Sequence, residues 1–377
     1  MDFELTEDQT VLRDSIQRLL ATEYSFERRQ AILKEPFGFS APFWELLAQQ
    51  GVLGAGMPEQ HGGFGGPVEI MIVMEEFGKS LVLEPFMSSV VLCGGLLRDT
   101  GTADQQQAYL PRIIAGRCRG ALAHHDGAAR YDLSRVASTA RRRGGGYLLT
   151  GQKTVVLDGA IADLVIVSAQ DAEHRGPSLF LLDTNMPGLT WTRYRTWDGR
   201  SAADLSFENL PVSELQLLGK PGGGLAAIEQ AGDHSIAALC AEAVGAMEAL
   251  NEATLQHLKT RKQFGQPIGR FQALQHRMAD MFIMSTQARS MSFLASGRCA
   301  ETDRNRRRHS LSAAKAFIGK ASRFVGQQAV QLHGGMGMTA ELPVSHHFKR
   351  LTLINSTWGD SEHHVGQVGD LLLAEQR

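Results

Sequence analysis

Hydrophobic positions recur at helical spacing through the first third of the chain. They break into short alternating runs in the middle and return to long helical stripes at the end. Leu5, Val11, Leu12, Ile16, Leu19 and Leu20 repeat at near-helical intervals. Thr6 ahead of Glu7 and Asp8 reads as an N-cap with an acidic first turn, where orphan N–H groups favour oxygen acceptors and negative charge. Residues 42–51 read as a further helix stopped by Gly51, 57–66 as a glycine-rich loop, and 70–80 as a resumed helix. Between about 119 and 218 the runs 163–170, 177–183, 189–197 and 203–212 are β-prone, and 147–159 looks like a hairpin turning at Thr150-Gly151. Beyond about 222, Leu239, Ala243, Ala246 and Leu250 share one helical face, with long helices over 273–297 and 310–335. The expected fold class is α+β multidomain: an N-terminal helical domain (1–118), a small middle β-sandwich or barrel domain (119–218) and a C-terminal helical bundle (222–377).

At 377 residues the chain exceeds what one core usually supports, consistent with two or three domains. A formal charge of -2 gives no reason to expect nucleic acid as a partner. Cys93, Cys118, Cys240 and Cys299 stand outside any CxxC pair, so buried reduced thiols are expected and no metal site. The acidic, amphipathic N-terminus does not read as a signal peptide, and no apolar run is long enough to suggest a membrane span. The cytoplasm is the expected location.

Two segments carry most of the candidate chemistry. One is Arg261-Lys262-Gln263-Phe264-Gly265-Gln266-Pro267-Ile268, followed by Phe271-Gln272 and Ala279-Asp280-Met281. The other is Gln331-Leu332-His333-Gly334-Gly335-Met336-Gly337, followed by Glu341, Pro343-Val344 and Arg350. An Arg guanidinium can grip phosphate oxygens with two parallel hydrogen bonds. Paired glycines let a backbone come close to a ligand, and Gln amides can both donate to and accept from an adenine or ribose edge.

Together these segments resemble the R-x-x-F-G-x-P-I-x-x-F-Q…A-D-M and Q-x-x-G-G-x-G signatures of the acyl-CoA dehydrogenase family. Gly151-x-Lys153 with Ala162-Asp163, and the 57–66 loop, resemble further family motifs, so the likeness runs almost end to end. It implies a four-helix C-terminal bundle, FAD as cofactor, an acyl-CoA thioester as substrate, a tetrameric assembly and an acceptor such as an electron-transfer flavoprotein. It also implies that Arg261, Phe264, Gln272, Gln331, Gly334 and Gly335 reach the FAD of a neighbouring subunit. The implied reaction is α,β-desaturation, in which a base removes the α-proton while hydride leaves the β-carbon for flavin N5.

Other positions depart from the pattern. Where many members carry a catalytic Glu, this chain has Gly359, with Asp360 next to it; the alternative base position falls on Ser235. Asp360 and Glu242 are therefore the candidate bases, with Glu242 alternatively the partner of a buried Arg. Asp233 is expected to cap a helix. The flavin-facing loop reads His124-His125-Asp126-Gly127-Ala128-Ala129-Arg130-Tyr131-Asp132, and Val155–Asp158 replaces a W-I-T-N stretch. His124 and His125 should face opposite ways in an extended segment, and the pairs His346-His347 and His363-His364 should lie on the surface. An intact adenine half beside an altered ring half resembles the smaller subunit of two-subunit dehydrogenases acting on steroid side-chain or dicarboxylic acyl-CoAs. The alternatives are a homo-oligomer using Asp360 or Glu242, a silent subunit that only completes the FAD pocket, and a flavin oxidase or monooxygenase on the same fold.

Overall fold

The structure is a computed structural model describing residues 4–127 and 129–375; Ala128 of the expected flavin-facing loop falls outside them. In chain order the helices are α1 (Glu7–Glu23), α2 (Phe26–Ile32), α3 (Ala41–Gln49), α4 (Pro67–Ser80), α5 (Gly95–Thr100) and α6 (Ala103–Ile114). The strands are β1 (Gly120–Ala123), β2 (Thr139–Arg143), β3 (Gly146–Leu157), β4 (Leu164–Asp171), β5 (Pro177–Asp183), β6 (Leu189–Arg195), β7 (Ser201–Ser213) and β8 (Leu217–Leu218). After these come α7 (Gly224–Thr260), the short strands β9 (Lys262–Gln263) and β10 (Gln266–Pro267), α8 (Gln272–Arg298), α9 (Arg304–His333), α10 (Pro343–Ser356) and α11 (Ser361–Glu375). No helix among the described residues is long and apolar enough to cross a membrane. Two compact units emerge: Met1–Arg29, Pro67–Val82 and Ile236–Arg377 form one; Gln30–Gly66 and Leu83–Ser235 form the other.

In the first unit, Thr6 caps α1 as expected: its hydroxyl accepts from Gln9 N, and the Gln9 side chain accepts from Thr6 N. The helix α9 is the hub, packed by α8, α10 and α11. Leu239, Ala243, Ala246 and Leu250 of α7 are all buried, as their spacing requires. The helices α4 and α7 cross backbone to backbone. A Cβ on Gly78 would collide with the Glu242 carbonyl, and one on Gly245 with the Glu75 carbonyl. Only glycine at both positions allows this approach, and a larger residue would push the helices apart.

The other unit holds one sheet in the order β6-β7-β3-β2-β4-β5-β8, with β1 paired to β4. Leu149, Val156, Leu205 and Phe207 from one half meet Val165, Val167, Phe180 and Leu182 from the other in a single core, as a small sandwich-like β domain should. The hairpin expected at Thr150-Gly151 does not form: β3 runs unbroken from Gly146 to Leu157, and the β2–β3 turn lies at Gly144-Gly145. Gly151 serves a close approach instead, because a Cβ there would collide with Ser138, and β3 is irregular against β7 between Leu149 and Gly151. Asp233 is no cap. It lies buried inside α7, which begins at Gly224. A Cβ on Gly224, the first residue of α7, would stand 2.6 Å from the Pro177 carbonyl oxygen, so α7 starts in close contact with β5.

The histidine pairs expected on the surface are largely internal: His346, His347 and His364 are buried. The surface reading failed because α9 and α2, distant in sequence, supply partners. His364 Nε2 donates to the Trp358 carbonyl (2.9 Å) while Nδ1 accepts from Ser312 Oγ (3.1 Å). His346 Nε2 donates to the Ala340 carbonyl (3.0 Å) while Nδ1 accepts from Arg29 Nη1 (3.2 Å). Burial lowers His347 and His364 to about 3, aided by nearby Arg29 and Lys315 respectively, and lowers His124 to about 4.

Gly245→Val should cost about 1–3 kcal/mol or more in urea unfolding. Gly366→Ala, where an added Cβ meets nothing within 4 Å in α11, should instead stabilise by about 0.5–1 kcal/mol. The three depressed histidines stay neutral in the folded state while the unfolded chain protonates below about pH 6.5. Their stabilisation is complete above that pH and falls by about 1.4 kcal/mol per pH unit per histidine as pH drops towards the folded values. Urea midpoints at pH 7 and pH 5 should show this loss, and His364→Gln should lessen it.

Candidate functional site

The last turn of α7 leads directly into the first motif. Arg261 N donates to the His257 carbonyl, and Ile268 N donates back to the Arg261 carbonyl (2.9 Å), closing a small loop. Inside it, β9 and β10 pair through a two-residue turn, Phe264-Gly265, whose φ values of 54° and 78° are both left-handed. That is the mirror-image turn favoured in tight hairpins. It leaves Phe264 89% exposed at the tip, with its ring edge-on to Phe271. The Arg261 guanidinium is exposed and makes no hydrogen bond or ion pair among the described residues.

The second motif ends α9. His333 is its last residue, and Gly334 follows with φ 61°, ψ -143°, a conformation favouring glycine. A Cβ on Gly334 or Gly335 would meet nothing within 4 Å, so the backbone there faces open space. The Gln331 side chain is exposed one turn earlier, and Gln272 is exposed at the first position of α8. The two motifs meet: His257, one turn before Arg261, stacks on His333 with centroids 4.4 Å apart and planes at 28°. The stack thus joins the two motifs, with the unpaired Arg261 following His257 past the end of α7 and the open glycine turn following His333. Cation, open backbone and exposed amides form a donor set that fits the diphosphate and adenosine portion of a dinucleotide.

The two candidate bases are both occupied. Glu242, fully buried in α7, takes Arg350 Nε at 2.7 Å on Oε1 and Nη2 at 2.6 Å on Oε2, a bidentate pair across to α10. Asp360 accepts from His363 N at 2.9 Å and so caps the start of α11. Ser235 donates to the Ala231 carbonyl (2.8 Å) within its own helix. Gly359 has φ 105°, and a Cβ there would lie 2.7 Å from His364 Nε2. No larger side chain fits that turn as it stands.

The turn is held by a residue outside the expected set. Lys315 is buried, and its Nζ donates to the carbonyls of Ile354 (2.8 Å), Asn355 (3.0 Å), Thr357 (2.9 Å) and Gly359 (2.9 Å). These carbonyls end α10 and line the turn into α11, where helical acceptors lack partners. Burial pushes the Lys315 ammonium down to about 8. Its sequence signal was present: Lys315 falls in the stripe Leu311, Ile318, Ser322, Val325, where a charge must be satisfied internally.

In the β domain His124 is buried and His125 exposed, the alternation expected of an extended segment. Lys153, in the G-x-K motif, is fully buried and ties the preceding loop to the sheet. Its Nζ contacts Asp126 Oδ1 at 2.9 Å and donates to the His124 carbonyl and to Ser168 Oγ, both at 3.2 Å. Asp126 also accepts from Ala137 N, Ser138 N and Ser138 Oγ, closing the loop on itself. Burial alone would raise the Asp126 carboxyl, but Lys153 and these N–H donors hold it below its ordinary value. The G-x-K motif and the histidine loop were each visible in the sequence; the ion pair joining them was not.

Glu242→Ala should destabilise the chain by about 3–5 kcal/mol, because it strands the Arg350 guanidinium in a dry seam. Glu242→Leu combined with Arg350→Met should recover most of that loss in urea unfolding.

Three family models match in sequence order: the acyl-CoA dehydrogenase N-terminal domain over residues 6–117, the middle domain over 121–210 and the C-terminal domain over 222–373. The chain is 31% identical to isovaleryl-CoA dehydrogenase, mitochondrial, from Solanum tuberosum, over 88% of this chain and 82% of that one. Among solved structures it is similar to the ChsE4-ChsE5 complex from Mycobacterium tuberculosis (26% identity, 99% of both chains, TM-score 0.89). It is likewise similar to a variant of the Tcur3481-Tcur3483 steroid ACAD (28% identity, 98% of this chain and 99% of that one, TM-score 0.88). The three-part α–β–α layout and these matches agree, and the chain belongs to the acyl-CoA dehydrogenase family.

Proposed function

We propose that this chain is a subunit of an FAD-dependent acyl-CoA dehydrogenase that desaturates the α,β bond of an acyl-CoA thioester, with the catalytic base supplied by a second, different dehydrogenase chain. The observation that carries the reading is the contrast between two places. Arg261 stands unpaired in a motif joined by the His257–His333 stack to an open Gly334-Gly335 turn, while Gly359 occupies the position where the family places a base. Asp360 and Glu242 are the candidate substitutes, but one is engaged as a helix cap and the other in a bidentate ion pair.

Bound FAD would supply the hydride acceptor; this chain's residues would bind and orient it. Arg261 would neutralise diphosphate oxygens, and the glycine turn would admit the nucleotide against bare backbone. Gln272 and Gln331 would read its adenosine edge, and Phe264 would cover it from the hairpin tip. The base in the partner would take the α-proton as hydride leaves the β-carbon. Two similar solved structures are named for pairs of proteins, one of them a steroid enzyme, which supports a mixed tetramer and a bulky acyl group. An electron-transfer flavoprotein would reoxidise the flavin, and the assembly would work in the cytoplasm.

The chain expressed alone, followed by absorbance during anaerobic addition of acyl-CoA thioesters, should show no bleaching of any flavin it retains. Full bleaching by the isolated chain, abolished by Asp360→Asn, would overturn the two-chain reading in favour of a self-sufficient enzyme.

A further inference from the structure

The stacked imidazoles at the cradle are not needed for the ion-pair and glycine chemistry already described. His257 lies in the last turn of α7, and Arg261, just past the helix end, donates its backbone N–H to the His257 carbonyl. Its ring stacks at 4.4 Å on His333, the residue immediately before the open Gly334-Gly335 turn. His333 Nδ1 donates to the Ala329 carbonyl at 2.8 Å, so in the neutral ring Nε2 is the lone-pair nitrogen. His257 is only partly buried, so it can exchange protons with solvent.

The groups that act on the His257 ring are His333 from α9 and Arg261 from the loop after α7; no carboxylate faces it among the described residues. Partial burial, then the His333 ring and the Arg261 cation, hold His257 below its ordinary value when nothing is bound. A diphosphate at Arg261 would reverse that field. It would neutralise the guanidinium that repels a proton and place up to two negative charges beside the ring.

We propose that the His257–His333 stack makes this a proton-linked diphosphate site: His257 takes up a proton as the diphosphate of a nucleotide docks on Arg261. The proposal rests on the cradle reading above and adds a regulated property to it. Affinity for a diphosphate nucleotide would rise as pH falls from 8 to 6, with about tenfold gained for each unit by which the bound anion raises the His257 value. His333 would act as a positioning residue, holding the His257 ring over the gap between the two motifs.

The test is calorimetric titration of the purified full chain with ADP-ribose, whose internal diphosphate carries no proton that titrates between pH 6 and pH 8, at those two pH values and in buffers of different ionisation enthalpy. The wild type should take up a fraction of a proton per ADP-ribose and bind more tightly at pH 6. His257→Phe, which keeps an aromatic ring on His333, should bind ADP-ribose equally at both pH values with no such uptake. Proton uptake that is absent in the wild type, or unchanged in His257→Phe, sinks the proposal while leaving the cradle standing. Failure of the wild type to bind ADP-ribose at all, with Arg261→Ala no different, sinks the cradle reading and this proposal together.

Discussion

The close crossing of α4 and α7 sets the terms for the rest of its unit. Gly78 and Gly245 bring two backbones into contact. Glu242 lies at that crossing with its side chain fully buried, so its charge can persist only if another element supplies a cation with fixed geometry. Arg350 does so with a two-pronged contact that water could not match in a dry site. That contact fixes α10 against α7, and it places the end of α10 over α9. There Lys315 takes the four carbonyls that the helix end and the following turn cannot satisfy themselves. The turn so held carries Gly359 in a conformation that leaves no space for a side chain. A steric allowance between two helices thus leads, through two buried cations, to the shape of the turn where a base would be needed.

The same unit treats its charges differently at its other end. Around Arg261 the cation is left exposed, the adjoining turn has no side chains, and the flanking residues are neutral rings and amides. Elsewhere charges are engaged: Glu75 with Arg289 and Lys79, Glu242 with Arg350, Lys315 with four carbonyls and, in the other unit, Lys153 with Asp126. Paired charges hold the fold and exposed ones are available to a ligand. By that criterion the Arg261 end remains open, while Glu242 and Asp360 are already committed.

The β domain follows the first pattern. Lys153 has no solvent contact and is surrounded by a carboxylate, a carbonyl and a hydroxyl. Its loop is drawn onto the sheet by Asp126, which gathers donors from both the strand and the loop's far end. Loss of the family's aromatic and hydroxyl residues at Val155–Asp158 has not loosened this region. Val155 and Asp158 both adopt positive φ, and Asp158 accepts from Ser88 Oγ, so the substituted stretch is tightly shaped by its own contacts.

The chain's local statistics determined a good deal. The helix–strand–helix order, the Thr6 cap, the buried face of α7 and the inward–outward alternation of His124 and His125 all follow from spacing along a few turns or a few strand residues. Such features depend on neighbours in sequence, which a linear reading can see. The glycines and arginine of the two motifs, and Gly359 where the family carries a carboxylate, were legible through the resemblance to the family. Tertiary structure decided what depends on residues far apart: that Gly151 meets Ser138 instead of turning the chain, that Asp233 is interior, that His346, His347 and His364 are enclosed. It also decided that Glu242 belongs to Arg350, and it revealed the role of Lys315. A charge in an apolar stripe announces that it needs a partner, but the partner's identity depends on how helices pack, and packing is a property of the folded chain alone.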